Sequence, residues 1–272
     1  MIPLEDNFGD IIDKAQRGLR LSDTQLAEKA RVSSQTIRKL RRGEFDELAL
    51  LRIAPVLGLA GRALSELATG AWQPKKIEDL DGLAAFNTRY HDVAVNSYLV
   101  WEPATKVAAA FDTGADCAAM LRVVSKNKLT VKMILLTHAH ADHIAALPQL
   151  REETGAQIFI SSDEAIPGAE LFEEGKRFQL GKLDIDTRLT WGHSRGGITY
   201  VVTGLARKVA IVGDSLFAGS MGGGNVSYEN ALQNNLEKIL TLPEVTIICP
   251  GHGPMTTVGE ERQHNPFFAG RL

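Results

Sequence analysis

The chain of 272 residues is 44% hydrophobic and 23% charged, a composition typical of globular rather than disordered proteins. Its net charge of −3 excludes a uniformly basic protein, although residues 29–42 carry six Lys or Arg and no acidic residue. The first residues lack the basic and apolar segments of a secretory signal, and no apolar run approaches the about 18 residues of a membrane span. We therefore expect a cytoplasmic protein whose two cysteines, Cys117 and Cys249, are free and buried.

The first quarter of the chain is predicted to be helical. From residue 8 to about residue 70, apolar residues recur every three or four positions without the alternation of a strand. The polar stretch that follows contains Pro74 and is typical of a linker. The expected organisation is a helical domain over residues 1–72, a linker over 73–82 and a second domain over 83–272.

A helix-turn-helix is predicted within residues 22–42. Ser22-Asp23-Thr24-Gln25 has the form of a capping box at the start of a helix. Ser33 can begin a second, basic helix, and Gly43 stands where that helix should end. Two short helices joined by a tight turn are the arrangement by which many proteins place a helix in the DNA major groove.

This segment resembles the helix-turn-helix domains of Cro and phage repressors over about residues 8–69. The resemblance implies five helices, a homodimer on duplex DNA and a role in transcription regulation, with residues 34–42 as the recognition helix. It places near the base edges Ser34, Gln35 and Thr36, and at the phosphates Arg38, Lys39, Arg41 and Arg42. Arg31 replaces the glycine usual in the turn, and a positive φ there costs about 1 kcal/mol. The alternative is a module that kept the fold for dimerisation or scaffolding.

The second part of the chain reads as a layered α/β domain. Helices are predicted over 115–126, 146–154 and 229–241. Strands are predicted over 94–101, 106–111, 131–136, 157–160, 197–203, 208–212 and 245–249.

Three of the seven histidines fall within six residues, in Thr137-His138-Ala139-His140-Ala141-Asp142-His143. The cluster follows an apolar run that predicts a buried strand. Packing does not explain three histidines and an aspartate spaced by alanines, whereas imidazole and carboxylate are the ligands that Zn, Fe and Mn prefer. Further His or Asp residues stand beside glycine near the predicted strands, at His193, Asp214 and His252.

These motifs, in the order HxHxDH, GH, GDSLF and PGHGP, resemble the metallo-β-lactamase superfamily from about residue 83 onward. The resemblance implies an αββα sandwich and two divalent metal ions, zinc in the first instance, with iron or manganese as alternatives. It assigns His138, His140 and His193 to the first metal, Asp142, His143 and His252 to the second, and Asp214 to both. Asp112 matches an acidic position that supports a ligand. His91 and His264 match no ligand position.

Within the superfamily, a bridging carboxylate at Asp214 argues against a true β-lactamase and favours enzymes similar to glyoxalase II. The implied reaction is attack of metal-bound hydroxide on a thioester or related acyl ester, with Asp142 or Asp214 holding its proton. Full-length glyoxalase II has a C-terminal glutathione-binding domain that we expect this protein to lack, so the resemblance does not extend to glutathione recognition. Two alternatives remain: an Fe(II) persulfide dioxygenase using His138, His193 and Asp214, and a metabolite-sensing regulator with little turnover.

Overall fold

The computed structural model describes residues 2–271, and its N-terminal part consists of five short helices, in the region where the periodicity predicts helices. Their inward faces are apolar, for example Ile11 and Ile12 in the first helix, both fully buried. Asn7 and Asp10 form a capping box at the start of that helix. The helices are α1 (Phe8–Gly18), α2 (Asp23–Ala30), α3 (Ser34–Arg41), α4 (Glu47–Val56) and α5 (Gly61–Ala68).

The α2–α3 connection has the local geometry that the sequence predicts. Ser22 and Gln25 form a reciprocal capping box at the start of α2, and the Ser33 hydroxyl accepts the Thr36 N–H at the start of α3. Arg31 has a φ of 54°, the left-handed conformation that favours glycine. Arginine therefore occupies a position of the turn where glycine would adopt the backbone conformation at the lowest free-energy cost.

The rest of the chain forms two six-stranded sheets. The first follows chain order, β1-β2-β3-β4-β5-β6, and the second has the order β12-β11-β10-β9-β8-β7. The first sheet contains β1 (Leu83–Tyr90), β2 (Val93–Trp101), β3 (Val107–Phe111), β4 (Thr130–Leu135), β5 (Gln157–Ser161) and β6 (Glu170–Phe172). The second contains β7 (Arg177–Leu180), β8 (Leu183–Leu189), β9 (Ile198–Thr203), β10 (Val209–Gly213), β11 (Ile247–Pro250) and β12 (Thr256–Thr257).

Helices cover the outer faces of both sheets. A buried cluster that includes Phe111, Tyr200 and Ile211 fills the space between the sheets, and separate clusters join each sheet to its helices. The layers are those of an αββα sandwich. The helices are α6 (Ala118–Asn127), α7 (Ala141–Ile144) and α8 (Leu147–Thr154) on the first sheet, with α9 (Tyr228–Asn234, continued as a π-helix over Asn235–Ile239) and α10 (Val258–His264) on the second.

Several elements of the sandwich are absent from the sequence-based prediction. The strand β1 was missed, and so were β6, β7 and β8, β12 and the polar helix α10. The strands β1, β6, β7 and β12 lie at or next to a sheet edge, where one face meets solvent and the apolar pattern is weak. The interior strands β2–β5 and β9–β11 agree with the prediction within two residues, whereas β8 is an interior strand that the sequence did not predict, with an alternating burial pattern.

The helical part packs against the second sheet through one continuous apolar cluster, which joins Ile11 and Leu50 to Ile248 and Phe267. Residues 69–82 contain no helix or strand. Trp72 within them is buried and stacks on His264 with ring centroids 5.3 Å apart. The segment predicted as a linker is thus partly anchored, and the domain boundaries stay a prediction.

Two further expectations concern the whole chain. Cys117 and Cys249 are free and buried, as predicted. Among the helices of residues 2–271, none has the length and apolar character needed to cross a bilayer.

Candidate metal centre

The seven side chains predicted as metal ligands lie together at one end of the sandwich. Five loops or short helices deliver them: the turn after β4, the helix α7, the loop before β9, and the ends of β10 and β11. The strands β10 and β11 are parallel, so their carboxyl ends meet at the same edge. Two groups can each hold an ion, with ligand atoms within 4.8 Å of one another: His138, His140, His193 and Asp214, and then Asp142, His143 and His252.

Asp214 lies between the two groups. Its Oδ2 is 3.3 Å from His193 Nε2 on one side and 3.3 Å from His252 Nε2 on the other. Its Oδ1 is 3.2 Å from His143 Nε2. A single buried carboxylate therefore contacts histidines of both groups, the position required of a bridging ligand.

Hydrogen bonds on the outer side of the histidine rings fix their orientation. His143 Nδ1 lies 2.8 Å from Asp112 Oδ2, and His252 Nδ1 lies 2.7 Å from the Ala94 carbonyl. His193 Nδ1 lies 3.0 Å from the Gly223 carbonyl. Because each Nδ1–H donates outward, each Nε2 presents its lone pair to the centre, as in metal-binding histidines generally.

His140 differs from the other histidines of its group. Its Nδ1 faces inward, 3.0 Å from His138 Nε2 and 3.1 Å from His193 Nε2. The side chain is exposed, whereas His138 is buried. His140 therefore forms the solvent-facing rim of the first group.

The charges of the centre are not balanced by the protein alone. Burial lowers the pKa of His143, but Asp214 and Asp112 outweigh it and raise that pKa to about 10. Burial is outweighed likewise at His252, where Asp214 and a hydrogen bond to Asp142 raise the pKa to about 11. The carboxylates thus favour positive charge here, and divalent cations can supply it in place of protons.

Two buried atoms at the middle of the centre have no hydrogen-bond partner among residues 2–271, His143 Nε2 and Asp214 Oδ1. An unpaired buried polar group ordinarily costs about 1–3 kcal/mol. Both atoms are good ligands for a transition-metal ion, and they lie 3.2 Å apart without the geometry of a hydrogen bond to each other. The donor set and these two atoms fit a metal centre.

Close approach of the backbone explains two glycines of the centre. A Cβ at Gly251 would lie 2.1 Å from Asp214 Oδ1 and 2.6 Å from the ring of His143. At Gly222 it would lie 1.8 Å from the Asp214 carbonyl oxygen. Any larger residue at either position would displace Asp214, so both glycines are steric requirements of the site.

The predicted supporting residue Asp112 lies where a partner of a ligand should. Besides His143, it accepts the Thr137 N–H at 2.7 Å and the Thr137 hydroxyl at 2.7 Å. It is buried and has a φ of 55°. Asp112 therefore connects β3 to the histidine loop and orients His143.

Sequence reasoning missed Glu164. This half-buried carboxylate accepts the N–H of Ala139 at 2.7 Å and that of Gly196 at 3.0 Å, so it joins the histidine loop to the loop that carries His193. No motif surrounds it, and a carboxylate that accepts only backbone N–H groups has no spacing to reveal it. The outward acceptors at Ala94 and Gly223 are carbonyls and are equally invisible in a sequence.

The residues predicted for DNA contact lie on or beside α3, and carboxylates of the N-terminal part pair with most of the cations. Arg41 lies 3.0 Å from Asp23, and Arg38 lies 3.4 Å from the same side chain. Lys39 lies 3.3 Å from Glu44. Gln35 and Arg42 are exposed, while Ser34 and Thr36 are half-buried.

The two histidines predicted not to be ligands lie outside both groups. His91 is exposed at the turn between β1 and β2. His264 contacts Glu66 at 3.0 Å and stacks on Trp72. Its contacts fasten α5 to α10.

Comparison with known proteins identifies the class. The family model of the metallo-beta-lactamase superfamily matches residues 91–252, more than half of the chain, and the chain belongs to this superfamily. The helices α1–α5 lie outside the match.

Among similar proteins, the probable metallo-hydrolase YqgX of Bacillus subtilis is 34% identical over 186 residues, covering 59% of this chain and 86% of YqgX. The hydroxyacylglutathione hydrolase GloC of Haemophilus influenzae is 29% identical over 198 residues, covering 64% of this chain and 92% of GloC. The crystal structure of the B3 metallo-beta-lactamase BLEG-1 has a TM-score of 0.60 at 30% identity, covering 69% of this chain and all of BLEG-1, 100%.

Proposed function

We propose that the protein is a two-metal hydrolase that cleaves thioesters or related acyl esters. The observation that carries the proposal is the position of Asp214, whose two oxygens contact histidines of both groups. A carboxylate between two ions is suited to a pair of metals that share one nucleophile. The name of the similar protein GloC, a hydroxyacylglutathione hydrolase, favours a thioester.

His138, His140 and His193 would hold one ion, Asp142, His143 and His252 the other, and Asp214 both. When bound there, the ions would supply a water of lowered pKa as nucleophile and polarise the acyl carbonyl. Asp142 is half-buried, and His252 holds the pKa of its carboxyl below the usual range despite burial, which acts the other way. Asp142 is therefore ionised at neutral pH and placed to accept the proton of the attacking water.

The leaving group needs little assistance. Attack on the acyl carbon breaks its bond to sulfur or oxygen, and the products are a carboxylic acid and a thiolate or alkoxide. A thiolate is stable near neutral pH, so its departure requires no strong general acid. The side chains that face the centre are histidines and carboxylates, which is consistent with a leaving group that needs no strong acid.

The proposal is tested by metal analysis together with turnover. Mass spectrometry should find two transition-metal ions per chain, and the loaded protein should hydrolyse activated thioesters, with loss of activity on chelation. A β-lactam belongs in the same panel because BLEG-1 is similar. One iron per chain with consumption of O₂ and a persulfide would replace the hydrolase by the dioxygenase, and a fully loaded protein that hydrolyses no thioester, ester or lactone would refute it.

We also propose that the N-terminal helices form a helix-turn-helix that binds duplex DNA as a homodimer, through residues 22–42. Support comes from the α2–α3 turn, from exposed Gln35 and Arg42, and from apolar side chains beside α3 that stand in solvent: Phe45, Leu48 and Leu51. Leu48 is 73% exposed, and such a patch is suited to a second copy of the chain. A metabolite-sensing regulator would use the same two parts with little turnover.

A further inference from the structure

A cleft of about 510 Å³ opens between the end of α1 and residues 223–229. Lys14, Arg17 and Arg20 line the α1 side, and Glu229 is the only carboxylate residue among its lining residues. Two of these cations, Lys14 and Arg17, also contact carboxylates behind the lining, Asp6 and Asp13, so the cation of the cleft that is free to meet a ligand is Arg20. The residues of α1 lie outside the part of the chain that the superfamily model matches.

The cleft shares a wall with the metal centre. The carbonyl of Gly223, which lines the cleft, accepts the Nδ1–H of His193 at 3.0 Å. Lys14 donates to the carbonyl of Met221 at 2.9 Å, two residues earlier in the same loop. A ligand in the cleft is therefore separated from the predicted metal ligand His193 by a single loop.

The two sides of the cleft are held at a fixed separation. A Cβ at Gly18 would lie 2.3 Å from the ring of Tyr228, so α1 packs directly on the start of α9. Gly224 is equally close to the backbone of Tyr228, at 2.4 Å from a Cβ placed there. The cleft is thus part of the packed structure and exists before any ligand arrives.

The three cations are not equivalent. Lys14 lies 2.5 Å from Asp6 and Arg17 lies 2.8 Å from Asp13. Within the described part of the chain, no carboxylate lies within the 4.0 Å of an ion pair from Arg20. Its guanidinium offers planar paired donors without a competing anion, which suits a carboxylate or a phosphate.

Arg20 also has a φ of 54°, where glycine is the residue of least cost. Arg31, in the α2–α3 turn, has the same φ of 54° and does not line the cleft. The chain therefore supplies a matched pair of arginines in the same backbone conformation, one in the cleft and one outside it.

We infer that this cleft binds an anionic group, a carboxylate or a phosphate, of the substrate whose acyl group lies at the metal centre. The inference rests on the proposed function only in taking the ligand to be a thioester. Arg20 is the principal anchor and Arg17 the second. Helix α1, which belongs to the N-terminal part, thereby determines which substrates the sandwich accepts.

The test measures binding separately from turnover. Thioether analogues, which cannot be hydrolysed, are made from N-acetylcysteamine (neutral), mercaptosuccinate (carboxylates) and coenzyme A (phosphates), and are titrated calorimetrically into the metal-loaded protein. Arg20→Gly should weaken binding of at least one anionic analogue about tenfold, the loss expected for one charge-assisted contact. It should leave the neutral analogue unchanged, and Arg31→Gly should change none of them.

Because glycine suits a positive φ, neither variant is expected to lose stability. Arg20→Lys should restore part of the affinity. The anionic analogue that loses most identifies carboxylate or phosphate as the bound group. Equal affinity of wild type for all three analogues, or equal losses in the two glycine variants, would overturn the inference. The corresponding acetyl thioesters are assayed in parallel, so that absent turnover with selective anion binding refutes the hydrolase alone.

Discussion

The histidine centre and the basic helix α3 both collect charged residues, but they treat charge in opposite ways. At the centre, seven ligand groups converge, and His143 Nε2 and Asp214 Oδ1 are left buried without hydrogen-bond partners. On α3, Arg38, Lys39 and Arg41 already pair with carboxylates of the N-terminal part.

This difference shows how strongly each of the two motifs indicates that a ligand binds there. A buried group without a partner costs free energy until something binds it, so the centre is suited to binding cations. Exposed ion pairs contribute little and exchange readily with phosphates or water. The basic helix is therefore compatible with DNA without requiring it.

The largest expected effect is at Asp214. Asp214→Asn keeps the volume of the side chain but removes the charge that serves both groups, so both ions should bind far more weakly. Hydrolysis should fall by orders of magnitude, beyond the about 10–100-fold that loss of an outer hydrogen bond costs. Metal content per chain and kcat/KM measure the two effects. Asp184→Asn, at an exposed position of β8, is the control, and wild-type occupancy in Asp214→Asn would contradict a bridging role.

A smaller effect is expected at Asp112, because its side chain contacts His143 and Thr137 and not the place where the ions would bind. Asn tolerates a positive φ, so Asp112→Asn should keep the backbone and one bond to Thr137. Its amide cannot serve all three donors, and His143 loses its fixed orientation. Metal affinity should fall about 10–100-fold, measured by competition with a chelator. An unchanged dissociation constant, with the fold intact by circular dichroism, would leave Asp112 a structural residue.

More of the metal ligands than of the residues around them could be predicted from the sequence. His138, His140, Asp142 and His143 lie within six positions, so one loop and one short helix necessarily bring them together. His193 and Asp214 are far from this cluster in the sequence, and the resemblance of their motifs, not proximity, identifies them. Glu164 lies 25 positions from Ala139, and only the pairing of sheets and loops brings it to the histidine loop.

The N-terminal part shows the same limit for packing. Helical periodicity and the Ser22 capping box indicate short helices over about residues 8–70, since both are local properties of the chain. The shared apolar cluster and the cleft beside α1 depend on which face of the sandwich the helices cover. That choice is made by residues such as Phe267 and Trp72, whose surroundings no local pattern reveals.

Glu261 differs from both the histidine centre and α3, because it is a buried carboxylate whose hydrogen-bond partners are all neutral groups. Its carboxylate accepts from Gly219, Asn265 and Thr256. Burial outweighs these bonds and raises its pKa to about 7 from 4.5. Because the folded pKa is raised, its contribution to stability is complete below pH 4.5 and is lost as the pH rises toward 7.

Glu261→Gln mimics the protonated carboxyl, so the variant should gain stability relative to wild type between pH 5 and pH 8. The relative gain should be about 1–3 kcal/mol on the scale of 1.36 kcal/mol per pKa unit. Urea unfolding at the two pH values measures it. Glu152→Gln, at an exposed position of α8, should show no such gain, and parallel pH profiles for wild type and Glu261→Gln would refute the shift.

The smallest effects are expected for substitutions on or beside α3. They test whether the ion pairs of α3 break when DNA binds. If DNA draws Arg38, Lys39, Arg41 and Arg42 to phosphates, log K should fall with log[salt] with a slope near −3.6, at about −0.9 per contact. If the three pairs persist, Arg42 alone gives a slope of about −0.9. Fluorescence anisotropy across salt distinguishes the two cases.

Arg42→Ala should flatten the slope by about one unit without changing the Tm, whereas Arg41→Ala should lower the Tm because Arg41 also binds Gln16 at 3.1 Å. Gln35→Ala should change the preferred sequence more than the affinity for generic duplex. Arg62→Ala, 92% exposed on α5, is the control, and a folded dimer that binds no duplex at low salt would make the helices a scaffold.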